Sequence, residues 1–327
     1  MIKFREAMLL KPEALFLSEL EQELDIEFSL VTEFGINTPL ASFITTDNHI
    51  CRVQCNGVDL TLLPKSIGNL RWLKELILNN NHLTELPESI GGLELLEELD
   101  IYKSKLKTLP KSICELHSLK RLSIINNKIK VLPKSFGNLK NLISLKIYEN
   151  YLRRLPESFG NLKNLRYLSI SNNQLLELPE SFGNLKNLRY LSISNNQLSA
   201  LPKSIGNLTN LRRFQAHHNK LRSLPESIGN LKRLEDLYLY SNKLQELPES
   251  IGDLSSLERL YVGDNRLESV PDSIFKLNGL CELSFYENRF DPIPEWIKYP
   301  SKFRQIKEKK YPNHTKWGRP DLSLYEP

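Results

Sequence analysis

Two stretches of the chain, 155–175 and 178–198, are identical and spell LPESFGNLKNLRYLSISNNQL. They start 23 residues apart, and the same period continues without insertion in the prolines at 64, 87, 110, 133, 156, 179, 202, 225, 248, 271 and 294. Equal consecutive units favour a stack in which each unit offers its neighbour the surface that it receives. An enzyme site instead needs different residues in different roles around one centre, which identical copies do not supply.

Within one unit, the apolar residues predict which side chains point inward. For the unit that ends at Pro179 these are Leu162, Leu165, Leu168, Ile170, Leu175 and Leu178. Leu168 and Ile170 are two residues apart, which places both on one side of a short strand. Proline suits the first turn of a helix, so the segment after it predicts a short helical turn on the outside. Strands are therefore predicted at 76–78, 99–101, 122–124 and every 23 residues onward.

An asparagine follows each predicted strand in most units, at Asn81, Asn127, Asn150, Asn173, Asn196, Asn219, Asn242, Asn265 and Asn288. The units fit the pattern LxxLxLxxNxL, and over about three quarters of its length the chain resembles the leucine-rich repeat family. In that family the asparagines cap backbone groups of neighbouring repeats. The series is interrupted at Val58 and Ser104, where we expect looser repeats.

The resemblance implies an α/β fold, a right-handed leucine-rich repeat solenoid shaped like a horseshoe, with a parallel β-sheet on its concave face. Solenoids expose an apolar edge at each end and need caps. We expect residues 1–48 to form the N-terminal capping segment, 49–298 to form the solenoid with about 11 repeats, and 299–327 to form a basic C-terminal cap.

Composition and charge indicate where the protein is located in the cell and whether it binds nucleic acid. The apolar run near the start is short and is broken by Lys11, Pro12 and Glu13, and no stretch reaches the ~18 apolar residues of a membrane span. Four cysteines do not make a disulfide framework, so a cytoplasmic location is predicted. A net charge of +5 is too mild to indicate nucleic acid by itself.

Motifs for catalysis, metals and cofactors are missing from the sequence. It contains no HExxH, no CxxC pair and no phosphate-binding glycine loop, so we predict no enzyme, no metal site and no cofactor. His217 and His218 are the one histidine cluster, and their neighbours Arg212 and Arg213 make a cationic setting that disfavours a metal ion. Contact with a partner is the better interpretation of this pair.

The concave face carries the candidate site. Eight of the twelve tyrosines fall on outward strand positions, and arginine occupies the same position in three successive repeats. Tyrosine is enriched at protein interfaces, although it also simply favours strands. The predicted partner-binding residues, all expected to face solvent, are Tyr148, Arg166, Tyr167, Arg189, Tyr190, Arg212, Arg213, His217, Tyr238, Tyr240 and Tyr261.

The predicted function is a non-catalytic protein-interaction scaffold with an acidic and partly apolar partner. The units match LPxSIGNLxxLxxLxLxxNxL and are similar to those of intracellular Ras-binding and plant Ras-group repeat proteins, which implies a small GTPase as one partner class. The lead-in to the repeats resembles stand-alone archaeal and bacterial repeat proteins. Two alternatives stay open: a secreted host-interaction effector, or nucleic-acid or anionic-surface binding through the basic residues of the tail, Lys302, Arg304, Lys307, Lys309, Lys310, Lys316 and Arg319.

Overall fold

The computed structural model describes residues 1–4, 7–35 and 37–292. The segment before the repeats contains β1 (Ile2–Phe4), β2 (Ala7–Leu9), α1 (Lys11–Leu24), β3 (Ser29–Leu30) and β4 (Ala41–Thr46). The repeat strands are β5 (His49–Cys55), β6 (Glu75–Ile77), β7 (Glu98–Tyr102), β8 (Arg121–Ile125), β9 (Ser144–Lys146), β10 (Tyr167–Ser169), β11 (Tyr190–Ser192), β12 (Arg213–Gln215), β13 (Asp236–Tyr238), β14 (Arg259–Tyr261) and β15 (Glu282–Ser284).

Strands β3 to β15 form one sheet whose spatial order is the order of the chain. All neighbouring strands are parallel except β4 and β5. The register keeps the repeat period throughout, with Leu76 opposite Leu99 at one end and Leu260 opposite Leu283 at the other. The predicted solenoid with an unbroken register is confirmed, and its strands begin one residue earlier than expected.

The inward side chains fill a continuous core between the sheet and the outer turns. The predicted leucine and isoleucine positions are buried along the whole array. Phe136, Phe159 and Phe182 stack in successive repeats, with ring centroids 6.1 and 6.0 Å apart and planes within 5° of parallel. Each repeat therefore continues the same packing instead of closing a core of its own.

The asparagines form the expected ladder. Asn173 donates Nδ2 to the carbonyl of Ile147 at 2.8 Å, and its Oδ1 accepts from the N–H of Leu152 at 2.9 Å. The other eight asparagines repeat both bonds with the same sequence offsets. At Ser104 the shorter side chain is buried, and its hydroxyl has no hydrogen-bond partner within the described chain.

The outer side of each repeat is a short 3₁₀ helix that begins after the repeat proline. These helices are Lys65–Asn69, Glu88–Gly92, Lys111–Glu115, Phe136–Asn138, Glu157–Asn161, Glu180–Asn184, Lys203–Asn207, Glu226–Asn230, Glu249–Asp253 and Asp272–Lys276. Glycine recurs in them because the next turn lies too close for a side chain: a Cβ at Gly160 would overlap the Ser181 carbonyl. Cys114 occupies the glycine position in the helix Lys111–Glu115. The helix of the next repeat, Phe136–Asn138, has 3 residues, whereas the helices on either side of it have 5.

The N-terminal segment covers the first edge of the array. Strand β4 pairs antiparallel with β5, and α1 reaches the outer turns, where the Ser66 hydroxyl donates to Glu19. Glu13 of α1 is buried and contacts His49 Nδ1 at 3.3 Å. The described helices include none that combines the length and hydropathy of a membrane span. The predicted C-terminal cap, 299–327, lies outside the described residues, and the domain limits stay a prediction.

The residue before each ladder position is in the left-handed region of φ. Asn80, Asn126, Asn172 and Asn195 supply it in four repeats, and Glu149 supplies it in another with φ 57°. This conformation costs roughly 1–2 kcal/mol for most residues, whereas asparagine adopts it routinely. Asparagine therefore suits both positions of the turn, the left-handed one and the ladder, although other residues fill the left-handed position in His218, Ser241, Asp264 and Glu287.

Replacing a ladder asparagine should destabilise the whole array. Asn196→Ala removes the acceptor of the buried N–H of Leu175 and one of the two amide donors to the buried carbonyl of Ile170, which keeps Asn173. We expect a loss of about 2–4 kcal/mol in the free energy of unfolding, measured by denaturant titration. Asn187→Ala is the matched control, because its amide lies on the exposed outer turn with one bond to Lys163. Equal losses in the two variants would contradict the structural role of the ladder.

Relieving the left-handed strain should stabilise the protein. Glu149→Asn keeps φ near 57° and places there a residue that tolerates it. We expect a gain of about 0.5–1 kcal/mol in the free energy of unfolding. The reciprocal change Asn172→Glu should lower stability by a similar amount, and two changes of the same sign would contradict this account.

Candidate protein-binding surface

The outward side chains of the concave sheet stand in columns because the strands are parallel and in register. One column, for example, runs Ser144, Tyr167, Tyr190 and Arg213 from β9 to β12. Neighbours in a column are one strand spacing, about 4.8 Å, apart. The chemistry of this face is therefore decided by which residues follow one another every 23 positions.

The centre of the face is an arginine and tyrosine surface on a floor of small residues. We call the central patch Arg166, Tyr167, Ser169, Ser171, Arg189, Tyr190, Ser192 and Ser194. The rings of Tyr167 and Tyr190 stack at 4.4 Å and 3°, and the Tyr190 hydroxyl donates to Gln215 at 2.8 Å. Burial raises the pKa of Tyr167, and the adjacent Tyr190 adds to that rise. The Tyr167 phenol is therefore neutral at physiological pH.

Arg166 and Arg189 are the exposed cations of this patch. Neither has an ion pair with any residue in the described part of the chain, whereas Arg212 contacts Glu235 at 2.8 Å. Arg213 is likewise paired, with Asp236 at 2.8 Å. The predicted row of three arginines is therefore reduced to two, because the acidic residue of the next repeat neutralises the third.

Tyr238, Tyr240 and Tyr261 differ from the prediction, since they are buried instead of facing solvent. Their exposed fractions are 2%, 4% and 9%. Tyr238 stacks on Tyr261 with centroids 5.0 Å apart, and Tyr240 stacks on His217 at 4.4 Å. Large rings in adjacent repeats of one column cover each other, which removes from solvent the area that an interface would need.

A buried ion cluster adjoins these rings. Asp236 is 1% exposed and lies between Arg213 and Arg259, and the Tyr261 hydroxyl donates to Glu282. Burial by itself lowers the pKa of Arg259, but the hydrogen bond and charge of Asp236 outweigh it and raise that pKa. Buried carboxylates are tolerated when they are paired in this way. This end of the face is closed by its own contacts.

His217 is brought next to Ser194 in one column, which the sequence argument overlooked. Ser194 Oγ and His217 Nδ1 are buried and have no hydrogen-bond partner within the described chain. Burial, with a smaller contribution from His218, lowers the pKa of His217 to about 3. Such a weak base does not suit activation of a serine, and no group of three or more metal-ligating side chains occurs among the described residues.

Tyr148 is not one of the central-patch residues, and it lines a cavity of about 430 Å³ over β6 to β9. Residues that the sequence argument did not select line most of it, among them Glu98, Asp100, Ser123 and Ile125. The sequence contains a signal for this cavity, because the small Ser123 stands in one column between the charged Asp100 and Lys146. A gap between two long side chains in a column leaves space above the sheet.

The burial of Tyr238 can be tested through stability. Tyr238→Ala removes a ring that is 2% exposed and stacked on Tyr261, so it should lower the free energy of unfolding by about 3 kcal/mol or more. Tyr151→Ala is the control, because Tyr151 is 43% exposed, and its effect should stay within about 1 kcal/mol. A Tyr238→Ala protein as stable as the parent would show that the ring faces solvent.

Comparison with known proteins places the chain in a family. The family model described as "Leucine-rich repeat region" matches residues 54–155 and 156–243, and the one described as "Leucine Rich Repeat" matches residues 233–254. A leucine-rich repeat protein of Leptospira interrogans is 32% identical with a TM-score of 0.50, covering 76% of this chain and 80% of that one. No curated protein matches the chain.

Two receptors are similar in fold. A TDR receptor is 30% identical with a TM-score of 0.67, and the match covers 73% of this chain and 43% of the receptor. The plant peptide hormone receptor RGFR1 in complex with RGF2 is 26% identical with a TM-score of 0.54, and 70% of this chain aligns with 46% of it. The chain thus spans less than half the length of these receptors. From the family match over more than half of its residues, together with the ladder and the in-register sheet, the chain belongs to the leucine-rich repeat family.

Proposed function

We propose that this protein is a non-catalytic protein-interaction scaffold that docks one protein partner on the central patch of its concave face. The observation that carries the proposal is the pair Arg166 and Arg189, exposed and without an ion pair in the described chain, beside the stacked rings of Tyr167 and Tyr190. Proteins built from stacked repeats use their concave surfaces for binding. One protein of similar fold, the plant peptide hormone receptor RGFR1, is in complex with RGF2.

The charge pattern elsewhere on the face supports this choice of site. Acids and bases of neighbouring repeats are matched there, as in Arg52 with Glu75, Lys120 with Glu97 at 2.9 Å, and Arg212 with Glu235. Arg166 and Arg189 are instead like charges one repeat apart, which repel by about 1 kcal/mol or less in water. That repulsion serves no purpose in folding, and an acidic partner converts it into attraction.

The tyrosine pair supplies what charge alone lacks. Tyr167 and Tyr190 are half-buried, so each keeps part of its ring available, and their mutual stacking already fixes their rotamers. A preorganised aromatic surface loses little side-chain entropy on binding. The partner is therefore acidic and partly apolar, with the acid over Arg166 and Arg189 and the apolar part over the rings.

A small GTPase in an intracellular signalling route is the specific partner class that we favour. The support is the similarity of the repeat units to those of Ras-binding repeat proteins, and the cytoplasmic location belongs to the same proposal. A panel of purified small GTPases, each loaded with a GTP analogue or with GDP, tests it directly by biolayer interferometry. Absence of binding across the panel would remove this partner class and leave the docking site itself to be tested with a captured partner.

Charge reversal tests the docking site. With a partner from the panel or from affinity capture, Arg166→Glu with Arg189→Glu should slow association at least tenfold at low salt and flatten its salt dependence. Tyr190→Ala should mainly speed dissociation. The control is Arg153→Glu with Arg154→Glu, two exposed arginines that lie outside the strands of the sheet. A partner that binds the patch variants and the control variant equally would place the docking site elsewhere.

A further inference from the structure

The cavity over β6 to β9 adjoins the central patch on its β9 side, where Lys146 Nζ lies over the Tyr167 ring. Three columns line it: Glu98, Arg121 and Ser144; Asp100, Ser123 and Lys146; Tyr102, Ile125 and Tyr148. The small Ser123 forms its floor, and the two tyrosines stand on either side of Ile125. The cavity volume of about 430 Å³ is sufficient for one long side chain with its surrounding water.

Asp100 is the distinctive group in this cavity. Its Oδ2 accepts a hydrogen bond from Asn79 Nδ2 at 3.2 Å. Its Oδ1 is shielded from solvent and has no hydrogen-bond partner within the described chain. A carboxylate held in this way lacks both hydration and a counter-charge on one side, which is costly unless a donor approaches.

The cations around the cavity do not supply that counter-charge. Arg121 donates from Nε to Glu98 Oε2 at 2.8 Å, so the charge of each of these residues is already matched. Lys146 Nζ lies over the ring of Tyr167, 5.5 Å from its centroid, and Lys103 Nζ lies 5.4 Å from that of Tyr102. In the described chain Asp100 forms no ion pair.

We propose that the cavity is a second subsite that receives a lysine or arginine side chain of the same protein partner. The cationic head faces the Asp100 carboxylate over Ser123, and the alkyl part of the side chain lies along Ile125 between Tyr102 and Tyr148. The terminal torsion of aspartate is soft, so the carboxylate turns toward the cation without moving the strand. This inference rests on the proposed function, because it adds a subsite to the same docking face.

The two subsites define a dipolar footprint. Asp100 lies on β7 and the residues of the central patch lie on or beside β10 and β11, three to four strand spacings away. At about 4.8 Å per spacing, the basic residue of the partner lies roughly 14–19 Å from its acidic residues. A partner that is acidic throughout would satisfy only the patch.

The subsite is tested with a single basic side chain as the probe. N-acetyl-arginine amide and N-acetyl-lysine amide are titrated into the full chain at low salt and followed by NMR chemical shifts. N-acetyl-citrulline amide has nearly the shape of the arginine probe without its charge. We expect saturable millimolar binding of both basic probes and at least about tenfold weaker binding of citrulline. Equal binding of arginine and citrulline, or no saturable binding, would overturn the proposal.

Two variants assign the binding to Asp100. Asp100→Asn should weaken the binding of the arginine probe about tenfold or more, while the melting temperature stays near that of the parent. Asp253→Asn makes the same change of net charge on the exposed outer turn and should leave binding unchanged. A lower melting temperature in Asp100→Asn with unchanged probe binding would assign Asp100 a structural role only.

Ser123→Arg supplies the proposed cation from the chain itself. Ser123 lies opposite Asp100 on the neighbouring strand, in the same relation that Arg121 has to Glu98. The variant should exclude the arginine probe and should melt higher than the parent, but not when it is combined with Asp100→Asn. An unchanged affinity for the probe would overturn the proposal.

The experiment separates this inference from the proposed function. The variant with Arg166→Glu and Arg189→Glu should bind the arginine probe no more weakly than the parent does, because the two arginines lie three to four strand spacings from Asp100 and their reversal adds only negative charge. If the arginine probe binds the cavity but a partner binds the patch variants as it binds the parent, the cationic subsite is supported and the docking site on the central patch is wrong. Spermidine is titrated in the same way. If it binds at least tenfold more tightly than the arginine probe, the cavity is assigned to a small polyamine, and the proposal that it receives a side chain of the partner is overturned.

Discussion

The asparagine ladder is the interaction on which the rest of the structure depends. Each amide joins three parts of the chain, as Asn173 does by holding the carbonyl of Ile147 and the N–H of Leu152 while it stays next to its own strand. These bonds satisfy backbone groups that the tight bend would otherwise leave buried and unpaired. Because the same bonds recur in nine repeats, no strand can slip relative to its neighbour, and every outward residue has a fixed place.

Because the register is fixed, the outward residues of the concave face stand in columns. Within a column, neighbouring side chains either pair with or cover one another, or they do not. Opposite charges in successive repeats pair, as Arg213, Asp236 and Arg259 do. Aromatic residues in successive repeats bury each other, as Tyr238 and Tyr261 do. What remains for a partner lies where this matching fails within the described chain: two like-charged arginines in the centre, and a carboxylate that faces a small serine.

Much of the fold could be predicted from the sequence because the period is exact. The inward leucines, the ladder and the strand positions followed from one unit, to within one residue. The state of the outward residues depends on the neighbouring repeats, which a single unit does not contain. The sequence predicts Arg212 in the partner-binding row although Glu235 stands 23 residues later, and it predicts an exposed Tyr238 although Tyr261 follows at the same interval. The sequence does hold this information once each column is examined as a set of neighbours. Segments without a repeat, such as the antiparallel β4, have no neighbouring unit to compare.

The fixed register also lets this scaffold recognise a partner, in the binding mode that we propose, without moving its backbone. The sheet is held by in-register bonds and a continuous core, so the groups of the docking face are already in place before binding, and little ordering is required of this protein. Recognition is then a comparison between two charge patterns with a fixed spacing. In the binding mode that we propose, Arg166 and Arg189 attract acids, and Asp100 attracts a base three or more strands away. A partner with the opposite order of charges meets repulsion at both places. Discrimination by repulsion needs only a rigid face, which the repeat register provides.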